Sequence, residues 1–193
     1  MIALASVTKA YGEHVVLSSF SLTLPPMSVT AVLGPNGSGK TTLGRLLLGL
    51  EVPSAGTITG LTGLARAAVF QDNRLVEHLT AVGNVRLVLP RSVPRAFVTS
   101  ALCEVGLDDA SLGVPVRQLS GGQRRRVALV RGLLPEASLV VLDEPFTGLD
   151  TAARGVAVDW TRERLAGRTG LLITHDVGDV AAFGAREVWL GVG

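Results

Sequence analysis

The sequence predicts an α/β fold: a mostly parallel sheet, preceded by antiparallel strands and interrupted by an inserted set of helices. Three observations predict it. Short apolar, β-branched runs at Val29–Leu33, Leu139–Leu142 and Leu171–Ile173 read as buried strands. Each delivers glycine or polar residues at its end, and helical patterns lie between them. From 73 to 117 the pattern switches to a helical period, so the expected domain, 1–193, divides into a core of 1–72 and 118–193 and a helical subdomain of about 73–117.

At the start, Ile2–Val7 and Val15–Leu24 read as strands joined by a turn at Tyr11-Gly12-Glu13, and Pro25-Pro26 marks the next turn. Tyr11, the only tyrosine, either offers an aromatic face to a base or covers a core edge. Gly34-Pro35-Asn36-Gly37-Ser38-Gly39-Lys40-Thr41-Thr42 then fits G-x-x-x-x-G-K-[ST]. A strand enters it, and Leu43, Leu46, Leu47 and Leu50 follow at the spacing of one helix face. Glycines let backbone N–H groups curl around an oxyanion, and a helix N-terminus adds unpaired donors and the positive end of its dipole. Lys40 brings a point charge to the outer phosphates, and Thr41 a hydroxyl for Mg²⁺. A nucleoside triphosphate is the expected ligand.

Pro53-Ser54-Ala55-Gly56 breaks the chain, and Thr57–Phe70 reads as short strands with glycine turns. Gln71-Asp72 follows; the amide either reaches into a site or caps its strand. Pro90 and Pro94 bracket a loop ahead of a helix with Val98, Ala101, Leu102 and Val105 on one face, stopped by Gly106. In Leu119-Ser120-Gly121-Gly122-Gln123, Ser120 and Gln123 satisfy the capping-box pattern ahead of Val127, Val130 and Leu134. That is a second helix N-terminus with small residues at its mouth: a capped helix, or a second anion site. Arg124-Arg125-Arg126 reads as the solvated side of this helix, with a phosphate or nucleic-acid contact as the alternative.

Leu139–Leu142 ends on Asp143-Glu144-Pro145. Ligands of open α/β sheets bind at the carboxyl ends of strands, which places these acids beside the phosphate loop. Two adjacent carboxylates can divide the work, one for a hard cation and one for an attacking water. Thr147-Gly148-Leu149-Asp150 leads into a helix with Ala153, Val156, Ala157 and Trp160 on one face and Gly167 at its end. Leu171–Ile173 delivers Thr174-His175-Asp176, where His175 is either a turn residue or part of the same site. Glu187–Leu190 reads as an edge strand.

The composition excludes some classes. The formal net charge is only +2, and the basic residues are scattered, so no nucleic acid is expected as a partner. Of 18 basic residues only Lys9 and Lys40 are lysine. Cys103 is the single cysteine, which excludes an intrachain disulfide and points to a reducing compartment. The start lacks the pattern of a signal peptide, and no apolar run is long enough to span a membrane. A mean hydropathy of +0.42 reflects either the Ala/Val/Leu composition or apolar surface covered by a partner.

Taken together, these residues resemble the nucleotide-binding subunit of ABC (ATP-binding cassette) transporters, over nearly the whole chain. Leu119-Ser120-Gly121-Gly122-Gln123 is the most discriminating element, and the order of phosphate loop, Gln71, Leu119–Gln123, Asp143-Glu144, Gly148-Leu149-Asp150 and His175 also matches. The resemblance implies a phosphate-loop NTPase core of the RecA-like kind, with ATP and Mg²⁺ as cofactors. Tyr11 would stack on adenine, and Asn36, Gly37, Ser38, Gly39, Lys40, Thr41 and Thr42 would hold the phosphates. Thr41, Gln71 and Asp143 would organise the metal, and Glu144 would polarise the attacking water. His175 would fix the γ-phosphate. Ser120, Gly121, Gly122 and Gln123 would cap the nucleotide of a second subunit, in a homo- or heterodimer, with Asp150 at the contact.

The same resemblance implies transmembrane permease subunits as partners, one of whose helices docks near Asp72–Leu89, and a peripheral place on the cytoplasmic face of the membrane. Phe146 after Pro145, together with Gln71-Asp72-x-x-Leu75, Leu79-Thr80 and Asn84-Val85, resembles importers of small polar solutes such as nitrate or sulfonates, which adds a solute-binding protein. The chain is short for this family, so a C-terminal regulatory module is not expected. The competing readings are a soluble ABC ATPase switch on nucleic acid or ribosomes, whose tandem cassettes or long insertions do not fit this length, and a small-molecule kinase, which leaves Leu119–Gln123 unexplained.

Overall fold

The computed structural model describes residues 1–191; the last two residues of the expected 1–193 domain lie outside the described residues. The chain divides into two compact units. Unit 1 comprises Met1–Ala68, Ala137–Glu144 and Ala166 onward, and unit 2 comprises Val69–Glu136 and Pro145–Leu165.

Unit 1 holds both sheets, apart from Val69. Strands β1 (Ile2–Tyr11), β2 (His14–Leu24) and β4 (Ala55–Thr59) form an antiparallel sheet in the order β2-β1-β4. β1 runs further than expected: Tyr11 still pairs with His14, so it ends the strand rather than lying in the turn. The second sheet has the order β5-β6-β7-β3-β8, with β3 at Val29–Leu33, β5 at Arg66–Val69, β6 at Leu139–Asp143, β7 at Thr169–Ile173 and β8 at Arg186–Trp189. β6–β7, β7–β3 and β3–β8 are all parallel. β6 and β7 are buried at every residue, as their unbroken apolar runs require, whereas β8 lies at the edge as expected.

Helix α1 (Lys40–Leu48) leaves the phosphate loop and packs on this sheet. At nine residues it is too short to persist alone; Leu43, Leu46 and Leu47, fully buried in one cluster with Leu24, Leu139 and Leu171, hold it. Each such leucine contributes about 1.5–3 kcal/mol. The expected face included Leu50, but Gly49 turns left-handed at φ 73° and ends the helix, leaving Leu50 exposed.

Unit 2 is helical: α2 (Ala81–Arg86), α3 (Arg95–Glu104), α4 (Asp109–Gly113), a 3₁₀ turn at Val116–Gln118, α5 (Gly121–Leu133) and α6 (Thr151–Leu165). The α3 face of Val98, Ala101, Leu102 and Val105 is buried as its spacing predicts, and Gly106 takes φ 82° behind it. In α6 Ala157 and Trp160 of the expected face are buried, together with Thr161 and Leu165, while Val156 is exposed. The Trp160 indole N–H donates to Glu104 Oε2 at 2.8 Å, tying α6 to the end of α3. The short helix α7 (Val177–Ala182) belongs to unit 1.

Candidate functional site

The carboxyl ends of β3, β6 and β7 carry the predicted chemistry of unit 1. The loop after β3 is shaped by glycines. Gly39 sits at φ 93°, and a Cβ there would lie 2.9 Å from the Val16 carbonyl oxygen and from Leu17 Cδ2, so only glycine fits. At Gly34 a Cβ would overlap the Leu190 carbonyl oxygen. Asn36 and Gly37 are exposed at the tip, whereas Ser38, Gly39 and Thr42 are buried. The Ser38 hydroxyl is a buried polar atom with no hydrogen-bond partner among the described residues. Lys40 Nζ folds over its own loop, donating to the carbonyls of Gly34 at 2.8 Å and Pro35 at 2.7 Å.

Thr41 Oγ1 donates to Asp143 Oδ2 at 2.9 Å, which joins the start of α1 to the end of β6. The next residue, Glu144, has a left-handed backbone at φ 47° and donates its N–H to the Ile173 carbonyl of β7 at 2.9 Å. Its carboxylate lies 2.9 Å from His175 Nδ1. The Glu144 hydrogen bond, then its charge, holds the His175 imidazole above its ordinary pKa, although the ring is 74 % exposed. The turn that carries His175 is fixed on both sides. Thr174 Oγ1 donates to the buried Asp179 at 2.7 Å and accepts from the Asp176 N–H at 3.1 Å. Tyr11, at the end of β1, is 42 % exposed and has the Lys9 ammonium 4.9 Å from its ring centroid.

These residues fit a nucleotide with Mg²⁺. An oxyanion in the loop would satisfy the Ser38 hydroxyl, and Lys40 can exchange carbonyls for phosphate oxygens. Thr41 and Asp143 supply hard oxygen donors. Among the described residues no cluster of three or more His, Cys, Asp and Glu could hold a metal alone. Mg²⁺ is commonly bound by one or two protein oxygens together with substrate phosphates.

Unit 2 carries Gln71, Ser120, Gly121, Gly122 and Gln123. The capping box is present: Ser120 Oγ accepts from the Gln123 N–H at 3.2 Å, and Gln123 Oε1 accepts from the Ser120 N–H at 2.9 Å. Gln123 Nε2 donates to Ser111 at 2.6 Å, so the carboxamide orders the mouth of α5. Packing does not demand glycine at that mouth. A Cβ at Gly121 would meet nothing within 4 Å, and at Gly122 only ordinary contacts at 3.7 Å with Gly148 and Leu149.

The arginine run departs from expectation. Arg125 is not solvated but 3 % exposed. Its Nε donates to the Pro145 carbonyl at 2.7 Å, and its Nη1 to the carbonyls of Phe70 at 2.6 Å and Gln71 at 3.1 Å and to Asn73 Oδ1 at 3.2 Å. Arg126 reaches back to the carbonyls of Val105 and Gly106. A signal was present: Arg125 shares a helical face with the buried Ala128, Leu129 and Leu133. Thr174 and Asp179 were likewise not expected as supports of His175; nothing local in the sequence pairs them.

The family model described as ABC transporter matches residues 17–147, more than half of the chain. An "Aliphatic sulfonates import ATP-binding protein SsuB 2" from Frankia alni is 39% identical over 192 residues, covering 98% of this chain and 76% of that protein. A protein named for the same import in Albidiferax ferrireducens is 40% identical, covering 97% of this chain and 69% of that one. Among solved structures, the dimeric bacterial ABC transporter cassette MJ0796 superposes with a TM-score of 0.88 at 26% identity, covering 100% of this chain and 95% of that one. A dimer of that cassette in a post-hydrolysis state bound to ADP and Pi matches with the same TM-score at 25% identity.

Proposed function

The chain belongs to the ABC transporter family, and from that premise we propose how its residues perform ATP hydrolysis coupled to import. The observation that carries the reading is the pair of contacts at the ends of β6 and β7, Thr41–Asp143 and Glu144–His175, set around one phosphate loop. Asn36, Gly37, Ser38, Gly39, Lys40, Thr41 and Thr42 hold the triphosphate, and Tyr11 stacks on the base. Thr41 and Asp143, with Gln71, are the metal's ligands, direct or through water; bound Mg²⁺ supplies neutralisation of phosphate charge. Glu144 orients a water in line with the γ-phosphorus and His175 steadies the γ-phosphate oxygens. The new P–O bond forms as the β–γ bridge breaks, the water's proton passes to the carboxylate and then to solvent, and ADP and phosphate leave. No covalent step is needed; positioning and charge do the work.

Ser120 and Gly122, on a helix mouth whose glycines the chain's own packing does not require, close over the nucleotide of a second subunit, with Gly121 and Gln123 shaping that mouth and Asp150 at the contact. Loss of the γ-phosphate opens the pair. Among the described residues no helix is long and apolar enough to cross a membrane. We take the chain to be peripheral on the cytoplasmic face, passing this motion to permease subunits. A permease helix would dock near Asp72–Leu89, the stretch to which Asn73, Arg74, Leu75 and Glu77 of a pocket in unit 2 belong. The relatives named for import of aliphatic sulfonates support a small polar cargo delivered by a solute-binding protein. The test is Glu144→Gln in the full chain: ATP affinity is kept, turnover falls about 100- to 1,000-fold, and an ATP-bound dimer accumulates on size exclusion. Turnover within a few-fold of the unaltered chain would remove Glu144 from this role.

A further inference from the structure

In a chain that uses arginine almost everywhere, lysine stands only at Lys40 and Lys9, and the reaction above uses only the first. Lys9 lies in β1, two residues before Tyr11, and is buried at 8 % exposure. Its Nζ donates to the Val52 carbonyl at 3.0 Å and lies 2.8 Å from Glu51 Oε2. The same ammonium stands over the Tyr11 ring, 4.9 Å from its centroid. A compact ammonium with three N–H donors can face a carbonyl, a carboxylate and a ring together; the planar fork of arginine is shaped for two parallel bonds. Glu51 and Val52 follow closely on α1, whose first turn belongs to the phosphate loop. Lys9 therefore joins the strand that carries the aromatic ring to the segment that leaves the phosphate-binding helix. The ammonium's hydrogen bond, working against desolvation, holds the Glu51 carboxyl below its ordinary range, and the Tyr11 hydroxyl acts in the same direction.

We propose that Lys9 is a positioning residue for base recognition: it occupies one face of Tyr11, fixes the ring against the Glu51–Val52 segment, and so presents the ring's other face to the base of the bound nucleotide. The proposal rests on the reading of Tyr11 as the base-stacking residue. Tyr11 retains 42 % exposure with the Lys9 ammonium over its ring, so a flat partner would take the face opposite Lys9. A ring held in advance loses less freedom on binding, and that gain is felt only by ligands that have a base.

The full chain carrying Lys9→Met, Lys9→Arg, Glu51→Gln or Tyr11→Ala is titrated with ATP and with inorganic tripolyphosphate, which has the phosphates and no base, and ATPase kinetics are followed in parallel. Lys9→Met is expected to weaken ATP about three- to tenfold and to raise KM with kcat unchanged. Tripolyphosphate affinity stays the same, and the variant adds nothing to the loss caused by Tyr11→Ala when the two are combined. Lys9→Arg, which keeps the charge, recovers part of the loss, and Glu51→Gln moves in the same direction by less. Unchanged ATP affinity in Lys9→Met, while Tyr11→Ala weakens ATP, would overturn the proposal. Equal losses for ATP and tripolyphosphate would overturn it as well, leaving Lys9 a support of the fold alone. Normal ATP affinity in Tyr11→Ala would remove the base-stacking reading itself. Should Lys9→Met fail to fold, Glu51→Gln decides by the same comparison: a loss confined to ATP supports the proposal and no loss overturns it.

Discussion

In the unit that carries the phosphate loop, side chains of that loop are free to exchange their bonds for a ligand's; in the helical unit the buried Arg125 and Asn84 are consumed by the fold. Lys40 rests on two carbonyls of its own loop, and the Ser38 hydroxyl is buried without a partner among the described residues. An unsatisfied buried hydroxyl costs about 1–3 kcal/mol. Glu144 keeps a left-handed backbone at φ 47°, a conformation that costs about 1–3 kcal/mol for a residue with a side chain. In unit 2, by contrast, Arg125 is spread over Pro145, Phe70, Gln71 and Asn73. The buried Asn84 of α2 accepts from the Val76 N–H and donates to the carbonyls of Val76, Leu79 and Thr80. The difference separates two kinds of functional surface. One unit keeps side chains around its loop in reserve; the other spends Arg125 and Asn84 on buried backbone carbonyls.

Arg125→Met should have the largest effect on the helical unit. It strands several buried carbonyls at once, so a loss of about 2–4 kcal/mol in stability is expected. Thermal unfolding should fall by about 5–15 °C. A surface arginine would cost less than 0.5 kcal/mol or so, and a melting temperature that hardly moves would return Arg125 to the solvated side where the sequence places it. Gly122→Ala should separate stability from turnover. The added methyl meets nothing closer than 3.7 Å in the chain, and alanine favours a helix over glycine by about 0.5–1 kcal/mol. Stability should hold or rise slightly. Turnover should nonetheless drop about tenfold or more, the scale of one lost charge-assisted hydrogen bond, because on the proposed reading the methyl would stand where another subunit's nucleotide approaches. Unimpaired turnover would make that mouth an ordinary helix cap.

What could be read in advance follows the range of the physics involved. The phosphate loop was legible because its glycines, lysine and threonine act over nine consecutive residues, and the cap of α5 because Ser120 and Gln123 satisfy each other across one turn. Asp143 was placed beside Thr41 by the rule that strands of a parallel sheet deliver ligands at one end. Spacing alone failed at Leu50, since it counts turns and ignores that Gly49 has already ended the helix. It failed again at Val156, where adjacent apolar residues blur the phase of the buried face. Arg125 was misplaced because charge was weighed above period. The link of Lys9 to Glu51 is a contact between residues far apart in the chain, and no local pattern announces it.

The smallest expected effect tests the Glu144–His175 contact in solution. The imidazole's pKa is raised in the folded chain, first by the Glu144 hydrogen bond and then by its charge. The protonated ring is thus the form that folding favours. Its contribution to stability is fully present below the unfolded value, near 6.5, and is lost as pH rises through the higher folded value. Because the ring is 74 % exposed, solvent screens the pair and the slope should be shallow. Titration of the His175 ring protons by NMR should give a midpoint above the ordinary histidine value, and Glu144→Gln should bring it back while Asp143→Asn moves it less. The same variant should flatten the stability slope over that window. A midpoint at the ordinary value in the unaltered chain would mean that the two side chains do not meet before nucleotide arrives, and the reserve ascribed to unit 1 would then lie in Lys40 and Ser38 alone.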